Sequence, residues 1–224
     1  LTTERYEAWE SVARKLAHEI KNPLTPIQLS IDSLREKYKD KLSNEGPNFE
    51  KYLETINRQI KDIEKLVNEF SNFARMPSPI LKQVDVVKLI NNSLDFIKMT
   101  SKNSINFIKK TKCTIINVDE EQFNRVFINL IKNSEESFLE KIEKDPNFKG
   151  NIDIEISDNI DYIIIGLTDN GTGIIDSKKA VTPYFTTKKT GTGLGLPIVT
   201  KIINEHNGNF SIKNKIDGNG TIVK

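Results

Sequence analysis

Two long runs of apolar residues at helical spacing constrain how the N-terminal third of this chain can fold. Steps of three and four are typical of one face of a helix. The first run consists of Leu16, Ile20, Leu24, Ile27, Ile31, Leu34 and Tyr38, and the second of Phe49, Leu53, Ile56, Ile60, Ile63, Val67, Phe70 and Phe73. The Ser-Asn-Glu-Gly-Pro segment at 43–47 predicts a turn between them. Residues 1–75 are therefore predicted to form a helical hairpin whose first helix extends to about Leu42.

A single hairpin of this kind leaves both apolar faces poorly covered. Pairing two hairpins into a four-helix bundle buries them, so the sequence predicts a homodimer. Met-Pro-Ser-Pro at 76–79 breaks the helical pattern and predicts a linker. The predicted domains are thus 1–75 and 80–224.

Beyond the linker, runs with strand character alternate with three helical segments. The predicted strands are 80–84, 104–109, 114–118, 152–157 and 162–168, with a last pair near 209–213 and 221–224. The predicted helices are 86–99, 120–142 and 194–207, and Asp119 followed by Gln122 predicts a capping box before the second. This order has no strict βαβ repeat. The predicted fold class is therefore α+β, a helical hairpin followed by an α/β sandwich with one helical layer.

Composition argues against several classes of partner. The 33 basic and 31 acidic residues nearly balance, and no basic block indicates nucleic acid. Cys113 is the only cysteine, which argues against disulfides and thiolate metal sites and fits a reducing cytoplasm. The longest apolar run, 162–167, is far shorter than the roughly 20 residues of a membrane helix, so we expect no membrane contact by these residues. A helix pattern that starts with the first residues indicates a piece of a longer protein.

His18 lies at the position in the first helix that most strongly indicates chemistry. It is two residues from both Leu16 and Ile20, about 200° around the helix from each, which predicts that it faces solvent. Glu19 lies beside it, and Asn22 is one turn further along the same face. A lone histidine on a polar helix face is, however, commonly only a solvated residue.

Two prolines make that ordinary interpretation of His18 weaker. Pro23 and Pro26 fall inside the periodic segment, where each removes a backbone hydrogen bond at a cost of about 3 kcal/mol. We therefore expect a bend just beyond His18. A bend beside an exposed imidazole suggests a hinge, although tertiary packing also explains such bends.

Three separated segments of the second half indicate a nucleotide site. Asn129 and Asn133 are one turn apart and offer amide oxygens suited to Mg²⁺ held mainly by phosphates and water. The Asp-Asn-Gly-Thr-Gly segment at 169–173 follows an isoleucine-rich strand, where a carboxylate can accept the exocyclic amine of adenine and so select ATP over GTP. Each signal is ambiguous alone, since paired asparagines are commonly solvated and Asp-Asn-Gly is a common hairpin turn.

The third segment is glycine-rich and opens the last helix. Gly-Thr-Gly-Leu-Gly-Leu at 191–196 presents backbone N–H groups and a helix N-terminus to phosphate. Its spacing excludes the dinucleotide fingerprint, and no Walker A pattern is present. Residues 183–190 carry hydroxyls, ammonium groups and aromatic rings, and predict a mobile lid over the phosphates.

Taken together, these motifs resemble those of the two-component sensor histidine kinases. Residues 16–24 resemble the histidine box, 129–134 the asparagine box, 169–173 and 191–196 the two glycine boxes, and 184–188 the phenylalanine box. All five occur in the family's order over nearly the whole chain. The residue sequences of the histidine box and of the lid are most similar to those of the nitrogen-regulation sensors of the NtrB and NtrY type.

The resemblance implies a fold, cofactors, partners and site roles. The second domain would be an ATP-binding domain of the gyrase/Hsp90/kinase/MutL type that uses ATP and Mg²⁺. His18 would accept the phosphoryl group, Glu19 would take its proton, and Asn22 would position a water for a phosphatase activity. Asn133 would ligate Mg²⁺, Asn129 would support the phosphates and Asp169 would hold the adenine amine. The other implied nucleotide-binding residues are Gly171, Gly173, Thr187, Lys188, Gly191, Thr192, Gly193, Leu194, Gly195 and Leu196.

The implied partner is the receiver domain of a response regulator, and the implied setting is the cytoplasmic portion of a membrane-anchored sensor. The chain departs from the family where only 174–182 separates the first glycine box from the lid, and where the connection from Lys109 to Thr114 is short. Two alternatives therefore stay open: an ATP-driven conformational clamp of the same superfamily, and a catalytically weak dimeric docking scaffold. His206, the second histidine, is expected to be structural at a helix C-cap.

Overall fold

The computed structural model describes residues 2–38, 46–99, 101, 103–188, 191–216 and 220–224. It divides into two compact units, Leu1–Pro77 and Ser78–Lys224. The division falls inside the segment 76–79.

The first unit is a pair of long helices packed against each other, α1 (Thr2–Tyr38) and α2 (Gly46–Ala74). Helix α1 continues through Pro23 and Pro26. The predicted end of the first helix at Leu42 lies outside the described residues. The predicted turn extended too far, because its last two residues, Gly46 and Pro47, already belong to α2. Proline is favoured in the first turn of a helix, where its missing N–H has no intrahelical partner to lose.

The hairpin buries only one row of its apolar residues. The buried row repeats every seven residues and consists of Ala17, Leu24, Ile31, Leu53, Ile60 and Val67. A second row of the predicted apolar face is 40–44% exposed, as expected of a single hairpin, and consists of Ile20, Ile27, Leu34, Ile56 and Ile63. Two helices cover only one row each because a heptad repeat presents its two apolar positions on adjacent faces. The second row therefore needs a further surface to cover it.

Over its described residues, the second unit contains seven strands and four helices. The strands are β1 (Lys82–Asp85), β2 (Ser104–Lys109), β3 (Ile115–Val118), β4 (Asn151–Asp158), β5 (Ile163–Asp169), β6 (Ile212–Asn214) and β7 (Thr221–Val223). The helices are α3 (Val86–Lys98), α4 (Glu120–Lys144), α5 (Ser177–Ala180) and α6 (Gly195–Glu205). All the predicted strands and helices are present, with ends that shift by up to three residues.

Five of the strands form a mixed sheet in the order β2-β4-β5-β7-β6, and β1 pairs with β3 separately. Strand β2 runs parallel to β4, and the other pairs are antiparallel. Burial alternates along β4, where Ile152, Ile154 and Ile156 are fully buried and the residues between them are not. This alternation means that one face of the sheet is packed against helices. The predicted α+β class with an α/β domain is confirmed.

The start of α4 and the end of α6 are joined through Asp119 and His206. The Asp119 carboxylate accepts hydrogen bonds from the backbone N–H groups of Gln122 (3.1 Å) and Ile80 (2.8 Å). Burial alone would raise the pKa of this carboxyl, but the backbone donors outweigh that effect and hold it below its usual value. His206 accepts the Asp119 N–H at Nε2 (2.9 Å) and donates from Nδ1 to the Ile202 carbonyl (2.7 Å). Asp119 caps α4 and His206 is structural, as predicted. The reciprocal half of the predicted capping box is not formed, because the Asp119 N–H donates to His206 and not to the Gln122 side chain.

Candidate functional site

Helix α4 presents Asn129 and Asn133 toward the first turn of α6. Asn129 donates through Nδ2 to the Arg125 carbonyl (2.8 Å), which leaves its Oδ1 as an acceptor. A Cβ added to Gly195 would lie 3.5 Å from that Oδ1 and 3.4 Å from Nδ2 of Asn133. Glycine therefore leaves a cradle between the two helices that a side chain would fill.

Asn133 carries a polar atom that no protein group satisfies. Its Nδ2 is buried and has no hydrogen-bond partner among the described residues. An unsatisfied buried donor costs about 1–3 kcal/mol, so such an atom calls for a partner such as a ligand group or a water. This orphaned amide beside an open cradle fits the phosphate and Mg²⁺ end of a nucleotide.

Asp169, the last residue of β5, is a fixed acceptor next to the same stretch of α4. Its carboxylate is 5% exposed, with Oδ1 accepting from the backbone N–H groups of Gly171 (2.9 Å) and Thr221 (3.1 Å). Oδ2 accepts from the Ser134 hydroxyl (3.1 Å). Because a carboxylate has about four acceptor positions, one remains for a ligand donor. An exocyclic amine such as that of adenine fits this position.

The turn after β5 is held by close packing and by one asparagine. A Cβ on Gly171 would overlap Ser137 Oγ, so only glycine lets the turn lie against α4 here. Beyond Gly173, Asn214 accepts from the Ile174 N–H (2.7 Å) and donates to the Ile174 carbonyl (2.8 Å). The predicted glycines thus allow a tight turn, which packs against Ser137 and is held by the hydrogen bonds of Asn214.

The lid segment contacts the second glycine box through its backbone. The Tyr184 N–H donates to the Gly193 carbonyl (3.1 Å), and a Cβ on Gly193 would lie 2.6 Å from the Tyr184 carbonyl carbon. Gly193 has a φ of +68°, which favours glycine, and Tyr184 has a positive φ of +67°. Burial raises the pKa of the Tyr184 hydroxyl. The described part of the predicted lid is therefore tied to the glycine loop at this point.

The remaining predicted residues of the lid and of the second glycine box differ in their exposure to solvent. Thr187 is exposed, and Gly191, Thr192 and Leu196 are half-buried. The Gly191 N–H donates to the Lys188 carbonyl (3.3 Å), which closes the loop. Leu194, immediately before α6, is fully buried in the core, so its side chain holds the loop down and only its backbone can face a ligand.

Lys188 reaches from the lid segment back to α4. Its ammonium donates to the carbonyl of Asn133 (3.0 Å) and to Oε2 of Glu136 (2.9 Å). The two side chains are 24% and 27% exposed, so the pair is largely shielded from solvent. A cation is thus held at the same turn of α4 as the unsatisfied Asn133 amide.

The histidine box lies in α1, in the other compact unit. His18 belongs to this helix, but its side chain lies outside what the structure describes, so its predicted solvent-facing position stays a prediction. Glu19 and Asn22 are exposed, while Ala17 and Leu24 on the hairpin seam are buried.

Several residues of the site were missed by reasoning from the sequence. These are Ser134 and Thr221 on Asp169, Asn214 on the turn, and Glu136 on Lys188. Ser134 and Glu136 follow Asn133 on α4 and could have been found by marking the polar residues of that helix face. Thr221 and Asn214 lie at least 40 residues from their partners in sequence, and only the pairing of β7 and β6 into the sheet brings them there.

The described residues lack two other kinds of feature. None of the described helices is both long and apolar enough to cross a membrane. Within the described ranges no three histidine, cysteine, aspartate or glutamate side chains group together as metal ligands.

The fold and the site together define an ATP-binding domain that follows a helical hairpin carrying a histidine box. Residues 8–79 match the "His Kinase A (phospho-acceptor) domain", and residues 118–224 match the family described as "Histidine kinase-, DNA gyrase B-, and HSP90-like ATPase". Residues 8–79 therefore belong to the first of these families and residues 118–224 to the second, and together they support a sensor histidine kinase catalytic core of the NtrY type.

Similar proteins of known name support that membership. The chain is 33% identical to nitrogen regulation protein NtrY of Azorhizobium caulinodans, with 100% of this chain and 29% of that protein covered. It is 37% identical to an NtrY-like sensor histidine kinase of Rickettsia bellii, with 98% and 35% covered. The chain thus spans about a third of the length of these curated relatives.

Two solved structures share the fold. Full-length ShkA in complex with AMPPNP has a TM-score of 0.65 at 19% identity, with 95% of this chain and 44% of that chain covered. Histidine kinase ThkA in complex with the response regulator TrrA has a TM-score of 0.64 at 22% identity, with 99% and 62% covered.

Proposed function

We propose that this chain is the catalytic core of a sensor kinase that transfers a phosphoryl group from ATP to His18. The observation that carries the proposal is that one helix, α4, offers a partner for each end of a nucleotide. Ser134 fixes the buried Asp169 acceptor at the base end, and Asn133 presents an unsatisfied amide at the phosphate end. The phospho-acceptor match at 8–79 supplies a histidine box in the same chain.

In this proposal the nucleotide is recognised by the residues that the fold brings together. Asp169 accepts a hydrogen bond from the exocyclic amine of adenine, and the Gly171 turn leaves room for the base. Asn129 and Asn133 face the phosphates across the Gly195 cradle. Mg²⁺, which the amide oxygen of Asn133 would help to hold, supplies neutralisation of the negative charge that develops during transfer.

The chemistry at His18 is a phosphoryl transfer to nitrogen. The imidazole Nε2 forms a bond to the γ-phosphorus as the bond to the β,γ-bridging oxygen breaks, and ADP leaves with that electron pair. Glu19 accepts the proton from Nδ1, which makes Nε2 a better nucleophile. These roles rest on the resemblance of the histidine box, in which Glu19 is exposed beside His18 on α1.

The phosphoryl group then passes to an aspartate on the receiver domain of a response regulator. The ThkA complex with a response regulator supports this class of partner. Asn22, exposed one turn from His18, positions a water that hydrolyses the phosphorylated regulator. Because ATP and response regulators are found in the cytoplasm, we propose that the chain is the cytoplasmic portion of a membrane-anchored sensor.

The exposed apolar row of the hairpin supports a homodimer. Ile20 and Ile27 on α1 and Ile56 and Ile63 on α2 are each at least 40% exposed, although they continue the helical pattern of the seam. Covering two such rows with a second copy gives a four-helix bundle, whose core is built from both copies. The clamp and scaffold alternatives are not favoured by the Rickettsia bellii relative, which is a sensor histidine kinase by name.

Labelling with ATP tests the kinase proposal directly. The full chain is incubated with γ-labelled ATP and MgCl₂, separated on a denaturing gel, and the gel strips are treated with acid or base. We expect covalent label that acid removes and base does not, because a phosphoramidate is hydrolysed in acid. Label that resists acid contradicts transfer to a histidine, and ATP hydrolysis with no covalent label contradicts the proposal and favours the clamp.

A further inference from the structure

The ion pair between Lys188 and Glu136 lies where a nucleotide's phosphates would enter the site. The Lys188 ammonium has three donors and no acceptor, and two of its donors are used by the Asn133 carbonyl (3.0 Å) and Glu136 Oε2 (2.9 Å). Both partners belong to one turn of α4. The pair therefore fastens the lid segment to the helix that carries the nucleotide-facing asparagines.

A polyphosphate at this turn would meet a cation that already has an anionic partner. The buried, unsatisfied Nδ2 of Asn133 and the cradle left by Gly195 place the phosphate end next to the carbonyl that Lys188 contacts. A phosphate oxygen and the Glu136 carboxylate are both acceptors for the same ammonium. Because the pair is about three-quarters shielded from water, their competition is less screened than at an exposed surface.

We propose that Glu136 is an exchangeable counter-ion of Lys188 that sets the affinity of the site for the nucleotide triphosphate. Without nucleotide, Glu136 holds the lysine on α4. When the phosphates bind, Lys188 turns from Glu136 to them, and the lost ion pair is subtracted from the binding free energy. Glu136 thus weakens nucleotide binding without contacting the nucleotide. The inference rests on the proposed ATP site.

Calorimetric titration of the full chain with AMPPNP and MgCl₂ tests the exchange. E136Q keeps the shape of the side chain and a neutral acceptor but removes the competing charge. We expect E136Q to bind AMPPNP more tightly by roughly fivefold, the value of one partly shielded ion pair. K188Q is expected to bind more weakly than the wild type. In the K188Q background, E136Q is expected to change the affinity less than about twofold, because no ammonium remains to exchange.

A matched control separates exchange from a general change of charge. Glu155 forms an ion pair with Lys110 (2.6 Å) on the sheet, and E155Q removes the same charge from the same unit. E155Q is expected to leave the AMPPNP affinity unchanged. The thermal unfolding temperature of each nucleotide-free variant shows that it is folded before titration.

Each other outcome overturns the inference in a distinguishable way. Equal tightening by E136Q with and without Lys188 shows direct repulsion between Glu136 and the phosphates, not exchange. Unchanged or weaker binding by folded E136Q shows that Glu136 does not compete for the lysine. Tightening by E155Q shows a general effect of charge. A wild-type chain that does not bind AMPPNP overturns the proposed function together with this inference.

Discussion

Replacing Asp169 by asparagine separates the stability of the nucleotide-binding domain from its recognition of adenine. In the folded chain Oδ1 accepts two backbone N–H groups, from Gly171 and Thr221, and Oδ2 accepts the Ser134 hydroxyl. Asparagine retains one oxygen for the two N–H groups. Its amide nitrogen then faces Ser134, whose hydroxyl can rotate to accept instead of donating.

The structure therefore predicts a small cost for D169N and a larger one for D169A. D169N exchanges charge-assisted bonds for neutral ones, which costs about 1 kcal/mol of unfolding free energy. D169A leaves the buried N–H groups of Gly171 and Thr221 without their acceptor, at about 1–3 kcal/mol each. Urea unfolding of the two variants measures this difference.

D169N should weaken nucleotide binding more than it lowers the free energy of unfolding. In D169N the atom that faces the ligand is a donor, and it opposes the amine of adenine. We expect AMPPNP affinity to fall roughly ten- to hundredfold, which is about 1.4–2.8 kcal/mol. ITP differs from ATP only at the six-position and N1 of the purine, where it presents a carbonyl oxygen and an N–H. The wild type should prefer ATP over ITP, and D169N should reduce or invert that preference because its amide donates to the carbonyl.

Competition titrations of ATP and ITP against a fluorescent nucleotide provide the assay. A folded D169N that binds ATP as tightly as the wild type would refute the assignment of Asp169 to the base. An equal loss of ATP and ITP in a folded D169N would refute the geometric part of the reasoning, since the six-position would then not face Asp169.

Three further predictions follow from the glycine loop, the exposed hairpin row and the histidine box. G193A should lower the free energy of unfolding by about 2 kcal/mol and weaken AMPPNP binding, because its φ is +68° and the added Cβ meets the Tyr184 and Phe185 backbone. Urea unfolding measures the loss of stability, and G166A is the control, since its Cβ would make only ordinary 3.9 Å contacts. Equal losses of stability in G193A and G166A would contradict the role of the glycine loop. I56D should convert a dimer to a monomer by light scattering, because Ile56 belongs to the uncovered row, whereas T55D, about 100° around the helix from Ile56 and outside that row, should remain dimeric. A wild-type monomer, or a dimeric I56D, argues against the bundle. N22A should still be labelled by ATP but should dephosphorylate a phosphorylated receiver domain more slowly, and an unchanged rate would remove Asn22 from that reaction.

Much of the second unit could be predicted from local signals. The β4 segment alternates buried and half-buried residues, and the isoleucines that predicted a strand are those that the structure buries. Asp119 predicted the start of α4 because a cap depends on residues only three apart. The sheet order and the parallel pairing of β2 with β4 could not be predicted in this way, because they depend on contacts between residues far apart in sequence.

The site shows the same limit in more detail. Asn133 and Asp169 could be named as candidates because each lies in a recognisable local motif. The hydrogen bond from Ser134 to Oδ2 of Asp169 depends on how α4 packs beside β5. The ion pair of Lys188 with Glu136 joins residues that are 52 positions apart in sequence. In the hairpin, the spacing predicted one buried face, but two helices bury only one row of it. Periodicity shows which residues are apolar on one side, not how many copies are needed to cover them.

The labelling of the two histidines tests the central claim most directly. His18 and His206 are the only histidines of the chain, so H18Q and H206Q together account for every imidazole. Both variants and the wild type are first shown to be folded. They are then incubated with γ-labelled ATP and MgCl₂ and compared for acid-labile label. The account predicts label on the wild type and on H206Q and none on H18Q. Acid-labile label that persists on H18Q would contradict it.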